Sequence, residues 1–193
     1  MKKFTKYILF ISLGLLCSCS DYLDIVPDNV TTLDIVFNNK NTAQRYLANC
    51  YHFVPDHGSV KRIPGMGAGH ECWFYTDKDS YFDNEVSFYI ARGLQNTNAP
   101  YANYWDGEGG SKLPMFRAIR ECNIFLSYVR DQHKVNDLTD SERKRWIAEV
   151  NVLKAYYHFF LFEHYGPIPI VDEALPVSTS SEGVKVTRMP VDQ

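Results

Sequence analysis

The sequence predicts a mainly α-helical fold in which long irregular loops separate the helices. Over three stretches the apolar residues recur at steps of three and four, the spacing that places them on one face of a helix. The stretches between them show no apolar period and contain many Gly, Pro and Asn residues, as loops do. A chain of 193 residues, of which 45% are hydrophobic, is large enough to bury a core between such helices.

The N-terminus has the pattern of an export signal. Three lysines precede an apolar run over residues 7–16, which is too short to span a membrane. The run ends in Leu16-Cys17-Ser18-Cys19, which resembles the signal of bacterial lipoproteins, whose last cysteine is acylated. We therefore predict a lipid anchor at Cys19. The alternative is an ordinary secretory signal whose apolar segment happens to end in cysteines.

These patterns divide the chain into three parts. We predict a signal peptide over 1–18, an extended tether over 19–40 and one helical domain over 41–193. Pro190 suits the first position of a helix, so we expect a further helix to start there and the domain to be incomplete at residue 193. The net charge of −3 comes without a basic face, which argues against a nucleic-acid partner.

The first helical pattern follows residue 40. We expect Asn41 or Thr42 to be the N-cap, because their side chains can accept a hydrogen bond from an amide of the first turn. The helix should end near Val54, before Pro55. Its apolar positions are Ala43, Tyr46 or Leu47, Cys50 and Tyr51.

Met115 opens the second helical pattern, which continues to Val129. A polar break over 131–137 separates it from the third, and so short a break predicts two antiparallel helices joined by a loop. The apolar stripe of the second pattern contains Ile119, Cys122 and Leu126, flanked by Phe116, Ala118 and Phe125.

The third pattern, over 138–171, has recognisable signals at both ends. Thr139 and Glu142 fit a capping box at the start of a helix. Gly166 suits the left-handed residue after a helix, and Pro167 prevents the helix from continuing, so the chain should leave in an extended conformation. The expected buried stripe is Trp146, Val150, Leu153, Tyr157, Phe160 and His164, with Ile147, Lys154 and Leu161 beside it.

Two further expectations concern the surface of this third helix. Arg143, Lys144 and Arg145 should lie on its exposed face. Residues 155–162 are apolar nearly all round, which predicts burial on several sides. If the segments that would cover them are absent, Tyr156, Phe159 and Phe162 should be partly exposed.

The cysteines do not suggest a disulfide framework. Without the leader the chain has Cys50, Cys72 and Cys122 besides Cys19, an odd number of unmodified cysteines at wide spacing. Cys50 and Cys122 occupy apolar positions of helical patterns, so we interpret each as a small core residue. The role of Cys72 stays open.

No catalytic or metal motif is recognisable. Residues 65–69 are rich in glycine but lack the strand and the Lys-Ser/Thr pair of a phosphate loop. An acidic cluster has aromatic residues where a calcium loop needs an oxygen ligand and a glycine. Its members are Asp77, Asp79, Asp83 and Glu85. We predict neither an enzyme nor a cofactor or metal, and leave the roles of this cluster and of His70 open.

Residues 70–105 are crowded with aromatic and amide side chains but have no apolar period. Such a segment usually lies at the surface, where a scaffold presents binding residues. Sugar rings stack on aromatic rings and pair their hydroxyls with amides and carboxylates, so the composition of this segment is compatible with a sugar ligand. Core packing is the alternative for each aromatic, and Trp105 is expected to fill the groove beside the next helix. The candidate ligand-binding residues are Trp73, Tyr75, Asn98, Tyr101 and Tyr104.

Several segments, taken in order, resemble the RagB/SusD family of Bacteroidetes. They are the lipoprotein signal, Tyr22-Leu23-Asp24, residues 105–126, residues 148–159, residues 165–171 and Arg188-Met189-Pro190-Val191. The passage from the third helix into Tyr165-Gly166-Pro167 is the most specific of them. At Lys154 the family usually has arginine, whose planar donors would be lost if that side chain bridges helices.

The resemblance implies a SusD-like helical fold with tetratricopeptide-like helix pairs. It also implies a surface-exposed outer-membrane lipoprotein that delivers glycans or other nutrients to a SusC-like TonB-dependent transporter. Members of the family are longer, so we expect this chain to contain the N-terminal part of the fold, truncated at the C-terminus. A helical-repeat interaction module without a ligand, or a non-functional fragment, is the alternative.

Overall fold

The computed structural model describes residues 32–59, 64–65, 67–70, 86–108, 112–176, 179, 184 and 186–190. The chain divides into two compact units, Met1–Ile35 and Val36–Gln193, and the first contributes only residues 32–35 to the described part. Across these ranges there are five helices and no strand, which confirms the mainly α-helical prediction. The helices are α1 Leu33–Val36, α2 Lys40–Tyr51, α3 Val86–Ala91, α4 Met115–Arg130 and α5 Asp140–Tyr165. None of the described helices is long and apolar enough to cross a membrane.

The core of the second unit lies where α2, α4 and α5 pack together. The pair α4 and α5 shares the largest contact, as the short polar break between them predicts. The apolar stripes predicted for α4 and α5 are buried, except that His164 at the end of the α5 stripe is exposed. Cys50 and Cys122 are buried, as predicted, and both are free thiols.

Helix α5 begins and ends where its sequence signals place it. The Thr139 hydroxyl accepts a hydrogen bond from the Glu142 amide at 3.3 Å, and a Glu142 carboxylate oxygen accepts one from the Thr139 amide at 3.2 Å. Gly166 follows the last turn with φ 67° and donates its amide hydrogen to the Phe162 carbonyl. The predicted capping box and glycine terminus are thus confirmed, and the chain continues without a helix through 168–171.

The predicted cap of α2 was wrong, because the helix starts earlier than its apolar pattern. Asn39 is the N-cap, and its side-chain oxygen accepts a hydrogen bond from the Thr42 amide at 3.1 Å. A tertiary contact helps to fix this start: the Lys40 amide donates to the Asp137 carboxylate at 2.8 Å, and the Lys40 ammonium pairs with Glu142. Hydrogen bonding to Lys40, then to Thr139, lowers the pKa of Glu142 to about 2.

Arg143 was also predicted wrongly, because it is buried rather than on the exposed face of α5. Its guanidinium reaches the turn after α4 and donates hydrogen bonds to four backbone carbonyls. The acceptors are Val129 at 2.6 Å, Asp131 at 3.1 Å, Lys134 at 3.0 Å and Val135 at 3.1 Å. The last carbonyls of a helix have no partner within it, so Arg143 supplies the donor for the Val129 carbonyl. It adds a second hydrogen bond to the Asp131 and Val135 carbonyls, which also accept from the Lys134 and Leu138 amides.

The turn held by Arg143 also positions the start of α2. Val135 has φ 51°, a conformation that costs a β-branched residue about 1–2 kcal/mol. In that conformation its amide donates to the Phe37 carbonyl at 3.0 Å. Phe37 is fully buried, and its ring stacks on Tyr128 of α4 with the ring centroids 4.5 Å apart.

The C-terminal half of α5 is not buried on several sides, contrary to the first of the two expectations. Phe159 is 55% exposed and Phe162 38%, while Tyr156 is half-buried. The second expectation is correct, since Tyr156, Phe159 and Phe162 are all at least partly exposed. Together with the chain after Gly166, this face borders an apolar groove.

The chain after Gly166 lies against α4 and α5 through side chains of both helices. The Val171 amide donates to His158 Nε2 at 3.3 Å, and the Val171 carbonyl accepts from Asn123 Nδ2 at 3.0 Å. Lys154 Nζ donates to the Asp172 carbonyl at 3.2 Å and to its carboxylate at 3.1 Å. Lys154 therefore connects α5 to this extended chain through two hydrogen bonds from its ammonium group.

We predict that Arg143→Met destabilises the protein by about 3 kcal/mol, because the buried Val129 carbonyl loses its donor and three further carbonyls of the turn each lose a hydrogen bond. Arg143→Lys should retain part of that stability, since an ammonium cannot serve four carbonyls arranged around a planar fork. Urea unfolding followed by circular dichroism gives the free energies of unfolding.

The control is Arg145→Met, which removes an exposed arginine two residues further along α5. We expect it to change the free energy of unfolding by less than about 0.5 kcal/mol. Equal losses for the two methionine variants would contradict the role given to Arg143.

Candidate functional site

A polar cleft of about 720 Å³ lies within the segment 86–108. We call it the tyrosine cleft. Its aromatic lining consists of Tyr89 and Tyr101, and its polar lining of Thr97, Asn98, Asn103, Asp106 and Glu108; Val86, Ala99 and Pro100 complete it. No lysine or arginine is among these lining residues, so the cleft favours a neutral, hydroxyl-rich ligand over an anion.

The two tyrosines stack on each other. Their ring centroids are 4.2 Å apart and their planes are inclined by 11°. Tyr89 lies on α3, a helix of 6 residues that ends at Ala91. Gly93, with φ 72°, reverses the chain after it, and the amide of Leu94 donates back to the Tyr89 carbonyl at 2.8 Å. This reversal returns the chain so that Tyr101 can meet Tyr89.

Amide side chains fix the backbone between the two tyrosines. The Asn96 side-chain oxygen accepts hydrogen bonds from the amides of Asn98 at 3.1 Å and Ala99 at 2.8 Å. The Gln95 side-chain oxygen accepts from the amides of Tyr101 at 2.8 Å and Ala102 at 3.2 Å. Polar side chains therefore replace the regular hydrogen bonds of a helix or strand in this loop.

The acidic side of the cleft is held in the same way. Asn103 Nδ2 donates to the Asp106 carboxylate at 2.5 Å, and the Glu108 amide donates to the same oxygen at 2.9 Å. The Trp105 amide donates to the Asn103 side-chain oxygen at 3.1 Å. Asp106 thus acts as an acceptor that organises the loop as well as lining the cleft.

Tyr165, the last residue of α5, anchors this loop to the core. Its hydroxyl accepts a hydrogen bond from the Tyr104 amide at 2.8 Å and donates to the Ala102 carbonyl at 3.4 Å. Burial raises the pKa of Tyr165, so its hydroxyl keeps the proton it donates. The Tyr104 carbonyl in turn accepts from the Met115 amide at 2.9 Å, at the first residue of α4.

The predicted ligand-binding residues do not all lie together. Asn98 and Tyr101 line the tyrosine cleft. Tyr104 is fully buried, and its ring packs edge-on against Phe160 and His164, with centroids 5.0 and 4.7 Å away. For Tyr104 the alternative interpretation, core packing, is therefore correct, and its ring offers no face to a ligand.

Other predicted residues fall outside the described part of the chain. They are Cys19, Cys72, Trp73 and Tyr75, together with the acidic cluster Asp77, Asp79, Asp83 and Glu85. His70 is described and exposed, and it is not among the residues that line the tyrosine cleft.

Sequence reasoning missed Tyr89 as a cleft residue. The short helix that carries it has only 6 residues, too few for an apolar period to show. The prediction for Trp105 was correct: its ring packs against Phe116 of α4 at 4.6 Å and against Tyr165 at 5.6 Å, measured between ring centroids. Arg188 covers the Trp105 ring at 5.5 Å.

The apolar groove beside α5 is a weaker candidate. Its volume is about 600 Å³, and it lies between the C-terminal half of α5 and the chain after Gly166. Most of its lining is apolar, with His158 and Asp172 as its charged or ionisable groups. Both already hydrogen-bond within the fold, so the groove has few groups left to recognise sugar hydroxyls.

Comparison with known proteins gives one family match. The model of the family SusD-like_3, described as starch-binding associating with outer membrane, matches residues 21–193. No curated protein matches the chain significantly.

We predict that Gly107→Ala disturbs the acidic side of the tyrosine cleft. A Cβ atom at residue 107 would lie 2.7 Å from the backbone nitrogen of Pro114, which cannot move without shifting the start of α4. Gly93→Ala is the matched control, because Gly93 also has a positive φ but has nothing within 4 Å of such a Cβ.

Both substitutions force alanine into a left-handed conformation, which costs about 1–2 kcal/mol. We expect Gly107→Ala to cost about 1–3 kcal/mol more than Gly93→Ala, measured by urea unfolding, because only Gly107→Ala also overpacks. Equal losses would contradict the close approach of Gly107 to Pro114.

Proposed function

The chain belongs to the SusD-like family of starch-binding proteins that associate with the outer membrane, and from this we propose that it binds glycans through the tyrosine cleft. The binding requires no bond to be made or broken. The captured glycan then passes to a SusC-like TonB-dependent transporter, which supplies the passage through the membrane.

The observation that supports this proposal most directly is the convergence of Tyr101 and Asn98 with Tyr89 in one cleft. A half-buried tyrosine pair offers an apolar platform to the C–H face of a sugar ring. Amide and carboxylate groups around it can donate to and accept from hydroxyls. Because hydrogen bonds within the loop already fix these groups, a ligand would meet a preformed surface and little ordering entropy would be lost.

Asp106 illustrates why we propose binding rather than hydrolysis. A glycosidase needs one carboxylate to act as acid and a second to act as base or nucleophile across the scissile bond. Asp106 accepts hydrogen bonds from Asn103 and from the Glu108 amide through one oxygen, so it has a structural role in the loop.

The proposed location at the outer membrane rests on the predicted lipoprotein signal over residues 1–18. Acylation of Cys19 would hold the chain on the outer membrane, because each buried methylene contributes about 0.8 kcal/mol. The part of the predicted tether before residue 36 would leave the helical domain free to meet both the ligand and the transporter, whereas residues 36–40 belong to the domain.

We predict that Tyr101→Ala weakens glycan binding about tenfold, which corresponds to about 1.4 kcal/mol, by removing one ring of the platform. Isothermal titration calorimetry with maltooligosaccharides and soluble starch measures the effect, and a glycan array extends it to other sugars. Asn98→Ala should weaken binding severalfold through lost hydrogen bonds.

The control for this experiment is Tyr51→Ala, which removes a tyrosine of α2 that is 42% exposed and does not line the cleft. We expect its affinity to equal that of the wild type. Equal losses for Tyr51→Ala and Tyr101→Ala would exclude the tyrosine cleft as the binding site, and new reducing ends during incubation would contradict binding without hydrolysis.

We predict that wild-type protein fractionates with the outer membrane and co-purifies with a TonB-dependent transporter after detergent extraction. Cys19→Ala should release the chain into the soluble fraction, because no acyl chain can be attached. Membrane retention of Cys19→Ala would contradict the anchor. Co-purification of the transporter without any glycan binding would instead favour the alternative of an interaction module.

A further inference from the structure

The chain that leaves α5 is held at Val171 by two side chains, one from each neighbouring helix. We call residues 167–172 the extended segment. The Val171 amide donates a hydrogen bond to His158 Nε2 of α5 at 3.3 Å, and the Val171 carbonyl accepts one from Asn123 Nδ2 of α4 at 3.0 Å. Side chains therefore bind both backbone groups of this residue, in place of the neighbours that a strand or a helix would supply.

The partners of the His158 ring determine which of its nitrogens carries the proton. Nδ1 lies 2.8 Å from the Lys154 carbonyl oxygen, and since a carbonyl can only accept, Nδ1 is the donor. Nε2 faces the Val171 amide, which can only donate, so Nε2 has no proton and accepts. Both bonds form together only when the ring is neutral and protonated on Nδ1. The attachment of the extended segment thus depends on the charge state of one side chain.

Protonation of His158 would replace the hydrogen bond at Nε2 by a contact between two donors. An imidazolium has a proton on both nitrogens, so the new N–H would point at the N–H of Val171. The bond from Nδ1 to the Lys154 carbonyl fixes the orientation of the ring, which cannot turn away without losing that bond as well. The Val171 amide would then separate from the ring and take water as its acceptor.

We propose that His158 is a pH-sensitive clamp, which holds the extended segment against α5 while its ring is neutral and releases Val171 when the ring is protonated. The proposal concerns the side of α5 that borders the apolar groove. It goes beyond glycan binding and does not depend on which ligand the tyrosine cleft takes.

The extended segment forms one wall of the apolar groove. Pro167, Ile168 and Ile170 line it on that side. Ile168 is buried, and its carbonyl accepts a hydrogen bond from the Met189 amide at 3.1 Å, so the first half of the segment stays in place. Release at Val171 would therefore loosen the second half, and the width of the groove would change with pH.

The groups around His158 act on its charge in opposite directions. Burial lowers the pKa of His158, because the half-buried ring loses water that would stabilise an imidazolium. The hydrogen bond to the Lys154 carbonyl raises the pKa, the Lys154 ammonium lowers it and the Asp172 carboxylate raises it. The remaining residues that line the groove are uncharged, as is Asn123 of α4. Burial is the largest effect, so the pKa lies below its ordinary value of 6.5.

The direction of this shift gives the pH range in which the clamp acts. A lowered pKa in the clamped state means that the clamped state favours the neutral ring. The clamp is therefore complete above the ordinary pKa of 6.5 and is lost as the pH falls through the lowered pKa of His158. The ratio of released to clamped segment can rise by at most about tenfold for each pH unit between the two pKa values.

Nuclear magnetic resonance of the wild-type protein tests the proposal. The isotope-labelled full chain, kept in solution with a mild detergent, is titrated from about pH 8 to about pH 5, the range in which histidine changes its charge. We expect proton–nitrogen spectra of the ring to show His158 protonated on Nδ1 alone at the upper pH, with a pKa below 6.5. The signal of the Val171 amide should change with the same midpoint. Its protection from hydrogen exchange, relative to an unstructured amide, should fall severalfold across that midpoint.

Two glutamine variants separate the clamp from a general effect of pH. Glutamine has no charge in this range, so His158→Gln should abolish the pH dependence of the Val171 signal. His164→Gln is the matched control and should retain it. His164 lies on the same helix and its Nδ1 bonds to the Phe160 carbonyl at 2.7 Å, but among the described residues no backbone amide donates to its ring.

Three results would each overturn the proposal. They are a proton on His158 Nε2 at the upper pH, a ring pKa of 6.5 or above, and a Val171 signal that keeps its midpoint in His158→Gln. The wild-type titration decides the first two even if a variant does not fold. None of these readouts involves a glycan, so failure here and failure of glycan binding remain distinguishable.

Discussion

The guanidinium of Arg143 connects the end of α4 to the beginning of α5, and the arrangement of the other elements depends on that turn. It donates to four backbone carbonyls in the last turn of α4 and the loop that follows it. The turn places the Val135 amide on the Phe37 carbonyl and the Asp137 carboxylate on the Lys40 amide. The start of α2 is therefore set by the turn between α4 and α5, and the core can close around Cys50 and Cys122.

The same helices position the loop that forms the tyrosine cleft. Tyr165 ends α5 and binds the loop backbone on both sides of Asn103 through one hydroxyl, while Met115 begins α4 and binds the Tyr104 carbonyl. An irregular loop becomes a defined surface because its ends are fixed to rigid helices and its middle is fixed by amide side chains. Starch, which the description of the family names, is chemically compatible with this surface.

The candidate ligand-binding residues show how far composition can lead. Crowding of tyrosines and asparagines pointed to the segment that contains the cleft, and Asn98 and Tyr101 do line it. Composition could not separate Tyr101 from Tyr104, since the two differ only in which side of the loop faces the core. It also could not find Tyr89, whose place depends on the chain reversal at Gly93.

The sequence by itself determined the features that depend on near neighbours in the chain. These are the helical character, the capping box of α5, its end at Gly166 and the buried stripes, because caps and periodicity act over one or two turns. Only the tertiary structure decided the burial of Arg143, the N-cap of α2 and the burial of Tyr104. Each of these depends on a partner distant in the sequence, and distance in the sequence says nothing about which groups meet when the core closes.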